Sequence, residues 1–264
     1  MTHPLSLAAG VLPDHDPVQA SAAAVEAGFD MAGVWVEAGA WTPTTTRAVR
    51  SALGGLPVLD VEYIRLAPGP LDPAHIRLID VGAELGAANV LLISTDPDDG
   101  ATAAKLAELA TYAGERDLRV ALEFGIFTSV RGLDQALAIV AAAAHPAVAL
   151  LLDPIHLDRA AVPMTALASI PPDRLSYAQF CDAPAARPDP HDLTQIVRDA
   201  LDLREMPGEG NLPLRTFLDR LPSSLPLSVE LRSKALRDRY PDAVERAQAV
   251  ADATRTWLAR YTDA

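Results

Sequence analysis

The chain has 264 residues, a length that suits one large domain, and no break in composition divides it. Its formal net charge of −13 argues against a nucleic-acid partner, because binding to a phosphate backbone depends on clustered Lys and Arg. A single Cys excludes an intrachain disulfide, and the longest apolar tract, interrupted by His145 and Pro146, is too short to span a membrane. The first residues lack the basic segment of an export signal, so we predict one cytoplasmic domain over 1–264.

Short apolar runs alternate with helical segments along the chain. Predicted strands cover 5–12, 31–37, 58–63, 89–95, 118–124, 148–153, 175–182 and 226–231. Predicted helices cover 16–27, 42–53, a segment that begins at 72, 101–116, 132–144, 160–168, 191–203, 214–221 and 241–260. Eight apolar strands alternating with helices predict an α/β fold, a single (β/α)8 or TIM barrel. No Gly-x-Gly-x-x-Gly follows the first strand, which argues against a doubly wound open sheet.

Four late strands end in a polar residue: Glu123, Asp153, Gln179 and Glu230. The carboxyl ends of neighbouring barrel strands share one rim, so these side chains can converge. Three carboxylates would repel one another there unless some are protonated or a cation binds them. An all-oxygen set fits Mn²⁺ first, with Mg²⁺ or Co²⁺ as alternatives, better than Zn²⁺. The alternative, in which backbone donors satisfy each group separately, stays open.

Several short motifs carry a family resemblance. They are Ala-Leu-Glu-Phe at Glu123, Asp153-Pro-Ile-His156, Gln179-Phe-Cys-Asp182, the turn Met206-Pro-Gly-Glu-Gly210 and Ser-Val-Glu-Leu at Glu230. With these motifs, essentially the whole chain resembles the xylose isomerase-like TIM barrels. That family includes sugar isomerases and epimerases, inosose and 3-dehydroshikimate dehydratases, and repair enzymes of the endonuclease IV type.

The resemblance implies a single divalent ion held by the four strand-end residues. It also implies that His156 contacts the substrate or helps proton transfer, while Glu123 or Glu230 removes the proton next to a carbonyl. The metal then stabilises the resulting enediolate. Return of the proton epimerises or isomerises a keto-sugar or polyol, whereas loss of a neighbouring hydroxyl dehydrates a keto-polyol or a cyclic hydroxy acid.

Two departures from the family weaken the epimerase interpretation. Many epimerases have a second Glu where this chain has Ser129, and an Arg where it has Ala185. Gln179, in place of His, is more similar to the dehydratase branches. Arg232 and Lys234, just after the eighth strand, can hold a substrate carboxylate or phosphate, or can lie in a solvated loop.

Further substrate-binding candidates lie around the same rim. Trp35 and Glu62 are predicted to form the far wall of a polyol pocket, and Arg204 to reach into the site. Asp182 is predicted to orient a ligand or to begin the following turn. Cys181 shares the strand face of Gln179 and either lines the pocket or packs.

The sequence favours a metal-dependent isomerase or epimerase, with a dehydratase as the second enzyme class and a sugar-binding barrel without turnover as the non-enzyme alternative. A Schiff-base aldolase needs a lysine on a strand, and the two lysines are Lys105, on a predicted helix, and Lys234, in a predicted loop. The expected partner is a small sugar, polyol or hydroxy acid, with no nucleic acid and no membrane. A homo-oligomer stays open.

Overall fold

A computed structural model describes residues 3–262, and its eight parallel strands close into a barrel in chain order. The strands are β1 (Leu5–Leu7), β2 (Met31–Trp35), β3 (Val58–Leu66), β4 (Asn89–Ser94), β5 (Arg119–Glu123), β6 (Val148–Leu152), β7 (Leu175–Phe180) and β8 (Leu227–Val229). Parallel pairing of β1 with β8 completes the closure. The predicted (β/α)8 fold is therefore confirmed, while residues 1, 2, 263 and 264 of the predicted domain lie outside the described residues.

Helices follow the strands and form an outer layer. They are α1 (Pro17–Glu26), α2 (Pro43–Leu53), α3 (Pro73–Leu85), α4 (Asp99–Gly114), α5 (Leu133–Ala143), α6 (Pro154–Arg159), α7 (Leu193–Asp202), α8 (Leu214–Leu218), α9 (Lys234–Arg239) and α10 (Ala243–Thr262). Among residues 3–262, none of the helices combines the length and the apolar character that crossing a bilayer requires.

Local sequence determines where several of these helices begin. The Asp16 side chain accepts hydrogen bonds from the backbone N–H groups of Val18 and Gln19, and Pro17 occupies the first helical position. Thr42 and Asp72 cap α2 and α3 in the same way, each directly before a proline. These caps satisfy N–H groups that have no partner inside the helix, so the predicted starts of the three helices are confirmed.

The apolar side chains form two separate clusters. The larger one lies between the sheet and the helices, as expected for strands that are covered on both faces. The smaller one fills the barrel and contains Leu59, Leu91, Ile93, Ala121, Ala149, Leu151 and Tyr177. This plug of side chains closes the barrel below its carboxyl-terminal mouth, so polar strand ends above it face an open cavity.

Three sequence predictions are wrong in detail. The strand predicted over 5–12 ends at Leu7, because turn hydrogen bonds from Val11 and Leu12 to the preceding carbonyl groups wind 9–11 into a 3-10 helix. Lys234 is not in a loop but begins α9, which Ser233 caps.

The helix predicted over 160–168 is also absent. A helix begins earlier, at Pro154, because the Asp153 side chain caps it by accepting from the N–H of Ile155 at 2.9 Å. It ends before Ala161, whose φ of +55° is left-handed, and a 3-10 helix over Met164–Ser169 follows.

Candidate active site

A cavity of about 230 Å³ opens at the carboxyl-terminal end of the barrel. It collects most of the residues that the sequence predicts for the site, namely Trp35, Glu62, Glu123, His156, Arg204, Glu230 and Arg232. Apolar side chains complete its wall, among them Phe127, whose ring lies 4.7 Å from that of His156. A small cavity with convergent charged groups at this end of a barrel is a typical place for catalysis.

Glu123, Asp153 and His156 form a compact polar group beside the cavity. One potential ligand atom from each lies within 4.8 Å of the others, and all three residues are buried. His156 Nε2 lies 3.7 Å from Glu123 Oε1 and 3.6 Å from Asp153 Oδ2. The short helix α6 produces this arrangement, since Asp153 caps it and His156 follows within the first turn. The sequence predicts that His156 contacts the substrate or helps proton transfer, and the geometry adds it to the potential metal ligands.

Burial shifts the pKa values of this group in different directions. It raises the pKa of Glu123 well above the usual range, and the nearby charges of Glu230 and Asp153 add to the effect. Burial likewise lowers the pKa of His156, so its imidazole is neutral at neutral pH. Burial alone would raise the pKa of Asp153, but the charges of Arg204 and His156, together with hydrogen bonds from Arg204 and the Ile155 N–H, outweigh it and the pKa is lowered.

Two buried oxygen atoms support a cation at this position. Glu123 Oε1 and Gln179 Oε1 have no hydrogen-bond partner in the structure. Gln179 lies two residues after Tyr177, a member of the barrel-filling cluster, so alternation along β7 turns its side chain inward. Unpaired buried oxygen atoms are costly unless water or an ion satisfies them. The residues present therefore fit a divalent ion, with the His156 nitrogen as one further donor.

Glu230, the fourth predicted ligand, is paired with two arginines. Its Oε2 lies 3.0 Å from Arg204 Nη2, and its Oε1 lies 3.2 Å from Arg232 Nε. Arg204 also contacts Asp153, at 2.6 Å between Nη1 and Oδ2. The structure thus brings Glu230 to the cavity wall but couples its carboxylate to guanidinium groups.

Arg232 is held against the cavity by its surroundings. Its guanidinium lies over the ring of Trp35, at 5.4 Å from the centroid, and borders the cavity. A Cβ at Gly10 would lie 2.5 Å from Arg232 Nε and 2.8 Å from a Glu230 oxygen, so only glycine leaves room there. Its Nε bonds Glu230, while its two terminal nitrogens have no hydrogen-bond partner within residues 3–262.

A second acidic layer, on β3, was only partly found from the sequence. Glu62 was predicted, whereas Asp60 was missed. Burial raises the pKa of Asp60 to about 7 and that of Glu62 well above its usual range. Among residues 3–262, neither Asp60 oxygen has a hydrogen-bond partner, and the nearby hydroxyl of Tyr177 offsets only part of the effect of burial on the Asp60 pKa. Two acids within the apolar run Val58-Leu-Asp-Val-Glu were the available signal.

Asp182 does not line the cavity. Its carboxylate accepts hydrogen bonds from the backbone N–H groups of Ala183, Gly208 and Leu212, all at 2.9 Å. It therefore holds the turn that contains Pro207 and Gly208 against the end of β7. Cys181 lies closer to the site, with its Sγ 3.6 Å from Asp153 Oδ1.

Comparison with known proteins agrees with this architecture. The family model of the xylose isomerase-like TIM barrel matches residues 22–260. A 3-dehydroshikimate dehydratase from Pseudomonas putida is 29% identical in an alignment of 199 positions, which covers 71% of this chain and 29% of that protein.

Two solved structures share the fold. A xylose isomerase-like TIM barrel/4-hydroxyphenylpyruvate dioxygenase fusion protein is 23% identical with a TM-score of 0.80, over 99% of this chain and 45% of that one. An IolI protein with a bound zinc atom is 16% identical with a TM-score of 0.80, and the match covers 98% of this chain and 99% of that one. The chain spans less than half the length of the dehydratase and of the fusion protein. Because the family model covers most of its residues, the chain belongs to the xylose isomerase-like TIM barrel family.

Proposed function

We propose that this chain is a divalent-metal-dependent lyase that dehydrates a small hydroxy acid carrying a keto group. The observation that carries the proposal is Arg232, which borders the same cavity as Glu123 and His156 and whose terminal nitrogens have no hydrogen-bond partner in the described part of the chain. An arginine fork matches a carboxylate in geometry and charge. The 29% identical 3-dehydroshikimate dehydratase supports an acid of this class.

The residues of the chain supply the proton chemistry. The Glu123 carboxylate, which is buried in the cavity wall, accepts the proton from the carbon next to the keto group. His156 Nε2, 3.7 Å away, passes that proton to the departing hydroxyl. One C–H and one C–O bond break, a C=C bond forms and water leaves, so no oxidant or reductant is needed.

Glu123, Asp153, Gln179 and Glu230 would hold the metal ion, because His156 is the group that moves the proton. When bound, a divalent ion supplies positive charge for the substrate oxygen atoms. We propose Mn²⁺ for this position, with Mg²⁺ or Co²⁺ as alternatives, since most of the donors are oxygen atoms.

An isomerase or epimerase acting on a keto-sugar or polyol is the second candidate. One observation favours it: Glu123 and Glu230 both line the cavity, so two carboxylates are available to remove and return a proton. Against it, Glu230 is paired with Arg204 and Arg232, whereas Glu123 Oε1 is unpartnered. This difference between the two carboxylates favours a reaction with one catalytic base, as in the dehydratase, over a reaction with two.

A product assay separates the candidates. The Mn²⁺-loaded protein is incubated in D₂O with 3-dehydroshikimate, inososes and keto-sugars. We expect loss of water and a new enone or aromatic absorbance with the acid. Deuterium uptake without water loss, seen only with a neutral sugar, would instead establish the isomerase or epimerase. If no compound is converted, the sugar-binding barrel without turnover is the remaining alternative.

Arg232→Met tests the acid-binding role. Loss of a charged hydrogen-bonding partner is worth roughly 1.5–3 kcal/mol, so KM for the acid should rise about tenfold to a hundredfold, with a smaller change in kcat. Lys234→Met is the matched control, because that side chain is exposed and bonds Asp238 at 2.6 Å. Equal KM values for parent and Arg232→Met would refute carboxylate binding by this arginine.

A further inference from the structure

Arg204 is buried inside the ring of predicted metal ligands, although its surroundings are acidic. Its Nη1 contacts Asp153 Oδ2 at 2.6 Å and its Nη2 contacts Glu230 Oε2 at 3.0 Å. Only 3% of the residue is exposed. Its guanidinium therefore bridges two carboxylates that the family pattern assigns to a metal ion.

The remaining donor atoms of Arg204 are also used by the protein. Nε donates to the Ala200 carbonyl at 2.9 Å, and Nη1 lies 3.3 Å from the Glu230 carbonyl and 3.4 Å from Cys181 Sγ. Every nitrogen of the group thus has a protein partner. Arg204 borders the cavity, but its hydrogen bonds are directed to the ligand residues rather than to a substrate.

The charges explain why such a bridge is needed. Glu123, Asp153 and Glu230 would otherwise meet in a buried site without a cation, where like charges repel strongly. Arg204 supplies one positive charge to Asp153 and Glu230, while Glu123 Oε1 keeps no partner. A carboxylate oxygen has more than one lone pair, so Asp153 and Glu230 can bind an ion while Arg204 stays in place.

We propose that Arg204 is a built-in counter-cation: a positioning residue that holds Asp153 and Glu230 in the metal-free barrel and lowers its affinity for the divalent ion. The proposal rests on the same metal site as the proposed function. It predicts that removal of the guanidinium charge destabilises the metal-free protein and strengthens metal binding.

The test uses full-length protein stripped with chelator and no substrate. Mn²⁺ binding is measured by calorimetry, and melting temperatures are recorded with and without Mn²⁺, for the parent, Arg204→Met and Arg204→Lys. Arg246→Met is the matched control, because Arg246 is also fully buried and ion-paired but its partner is Asp14, outside the cavity.

Arg204→Met should melt lower than the parent without metal, bind Mn²⁺ at least tenfold more tightly and gain more in melting temperature when Mn²⁺ is added. Arg204→Lys, which keeps the charge, and Arg246→Met should both stay within threefold of the parent affinity. Folding of Arg204→Met only in the presence of Mn²⁺ would equally support the proposal, since the ion then replaces the guanidinium.

Three results would overturn the proposal: equal or weaker Mn²⁺ binding by Arg204→Met, tenfold weaker binding by Arg204→Lys, or no Mn²⁺ binding by the parent or any variant. If Arg204→Met does not fold under either condition, the Arg204→Lys affinity decides. A protein that binds Mn²⁺ as expected but converts no acid would refute the proposed function and leave the role of Arg204 intact.

Discussion

Two buried arginines, Arg246 in the outer layer and Arg204 at the candidate active site, show how the same side chain serves different purposes in two regions of the molecule. Arg246 lies in the outer layer, where its two terminal nitrogens contact both oxygens of Asp14 at 2.5 and 2.9 Å. Its Nε donates to the Tyr240 carbonyl at 2.8 Å, just before α10, while the pair with Asp14 ties α10 to the segment after β1. Every group in this arrangement has a partner, so its effect is on stability.

The region around Arg204 differs because some buried oxygen atoms next to this arginine have no hydrogen-bond partner. Arg204 bridges Asp153 and Glu230, but next to them Glu123 Oε1 and Gln179 Oε1 are buried without a partner. Unsatisfied buried polar groups in a native fold call for an explanation such as a bound ion or a catalytic role. Buried charge alone therefore does not identify a site, whereas unsatisfied buried oxygen atoms beside a cavity do.

The largest effect, on turnover, should follow from Glu123→Gln, which removes the proposed proton acceptor from the candidate active site. General acid–base groups contribute roughly 10²–10⁴-fold, so turnover should fall by that factor. The fold should be retained, because a buried carboxylate is replaced by an uncharged side chain of equal size. Steady-state kinetics with the substrate found in the product assay, and circular dichroism, check this. Full activity would exclude Glu123 as the base; Glu108→Gln, on an exposed face of α4, is the control.

A smaller effect should follow from Asp60→Asn, below the same cavity. Burial raises the folded-state pKa of Asp60 from 3.8 to about 7, so the native state binds a proton more tightly than the unfolded chain. Stability attributable to this group is therefore lost as the pH rises from about 4 to 7, by roughly 4 kcal/mol at about 1.4 kcal/mol for each pKa unit. Asp60→Asn should not lose this stability, because the Asn side chain does not ionise.

Urea unfolding of the parent and Asp60→Asn at pH 4 and pH 8 measures the difference. We expect Asp60→Asn to be the more stable protein at pH 8, with little difference between the two at pH 4. A difference that does not change with pH would show that Asp60 is not held in its protonated form by burial.

The smallest of these effects, a loss of stability, should follow from a change at Arg246 in the outer layer, where each nitrogen of its guanidinium has a partner. Arg246→Gln should lower the free energy of unfolding by about 2 kcal/mol, because it removes charged hydrogen bonds while the half-exposed Asp14 can be hydrated instead. Denaturant unfolding measures the loss, and turnover should not change. A clear loss of turnover at unchanged stability would contradict the division between the two regions.

Much of the architecture and the main acidic residues could be predicted from local pattern. Apolar runs that end in Glu123, Asp153 and Glu230 indicated strands of a barrel with carboxylates at one rim, and the structure places Glu123 and Glu230 at one cavity with Asp153 beside Glu123. Helix starts at Asp16 and Asp72 were also predictable, because an N-cap depends on neighbours in the chain.

The interactions between distant segments were not predictable in the same way. The sequence marked Arg204 as a residue that reaches the site, but its two carboxylate partners lie 51 and 26 residues away in the chain. Asp60 was missed because its burial beside Tyr177 depends on the pairing of strands around the barrel. The predicted helix over 160–168 failed for a local reason, since Asp153 and Pro154 begin a helix as well as ending a strand.

The alternation of strands and helices, and hence the barrel and the rim at which its polar strand ends meet, can be predicted from local sequence, because periodicity and capping act between near neighbours. The pairing of those polar groups with arginines, and the oxygen atoms left without a partner, depend on the folded chain. The physical reason is that hydrogen bonding and burial of charge depend on the distances between side chains from different strands, and closure of the barrel sets those distances.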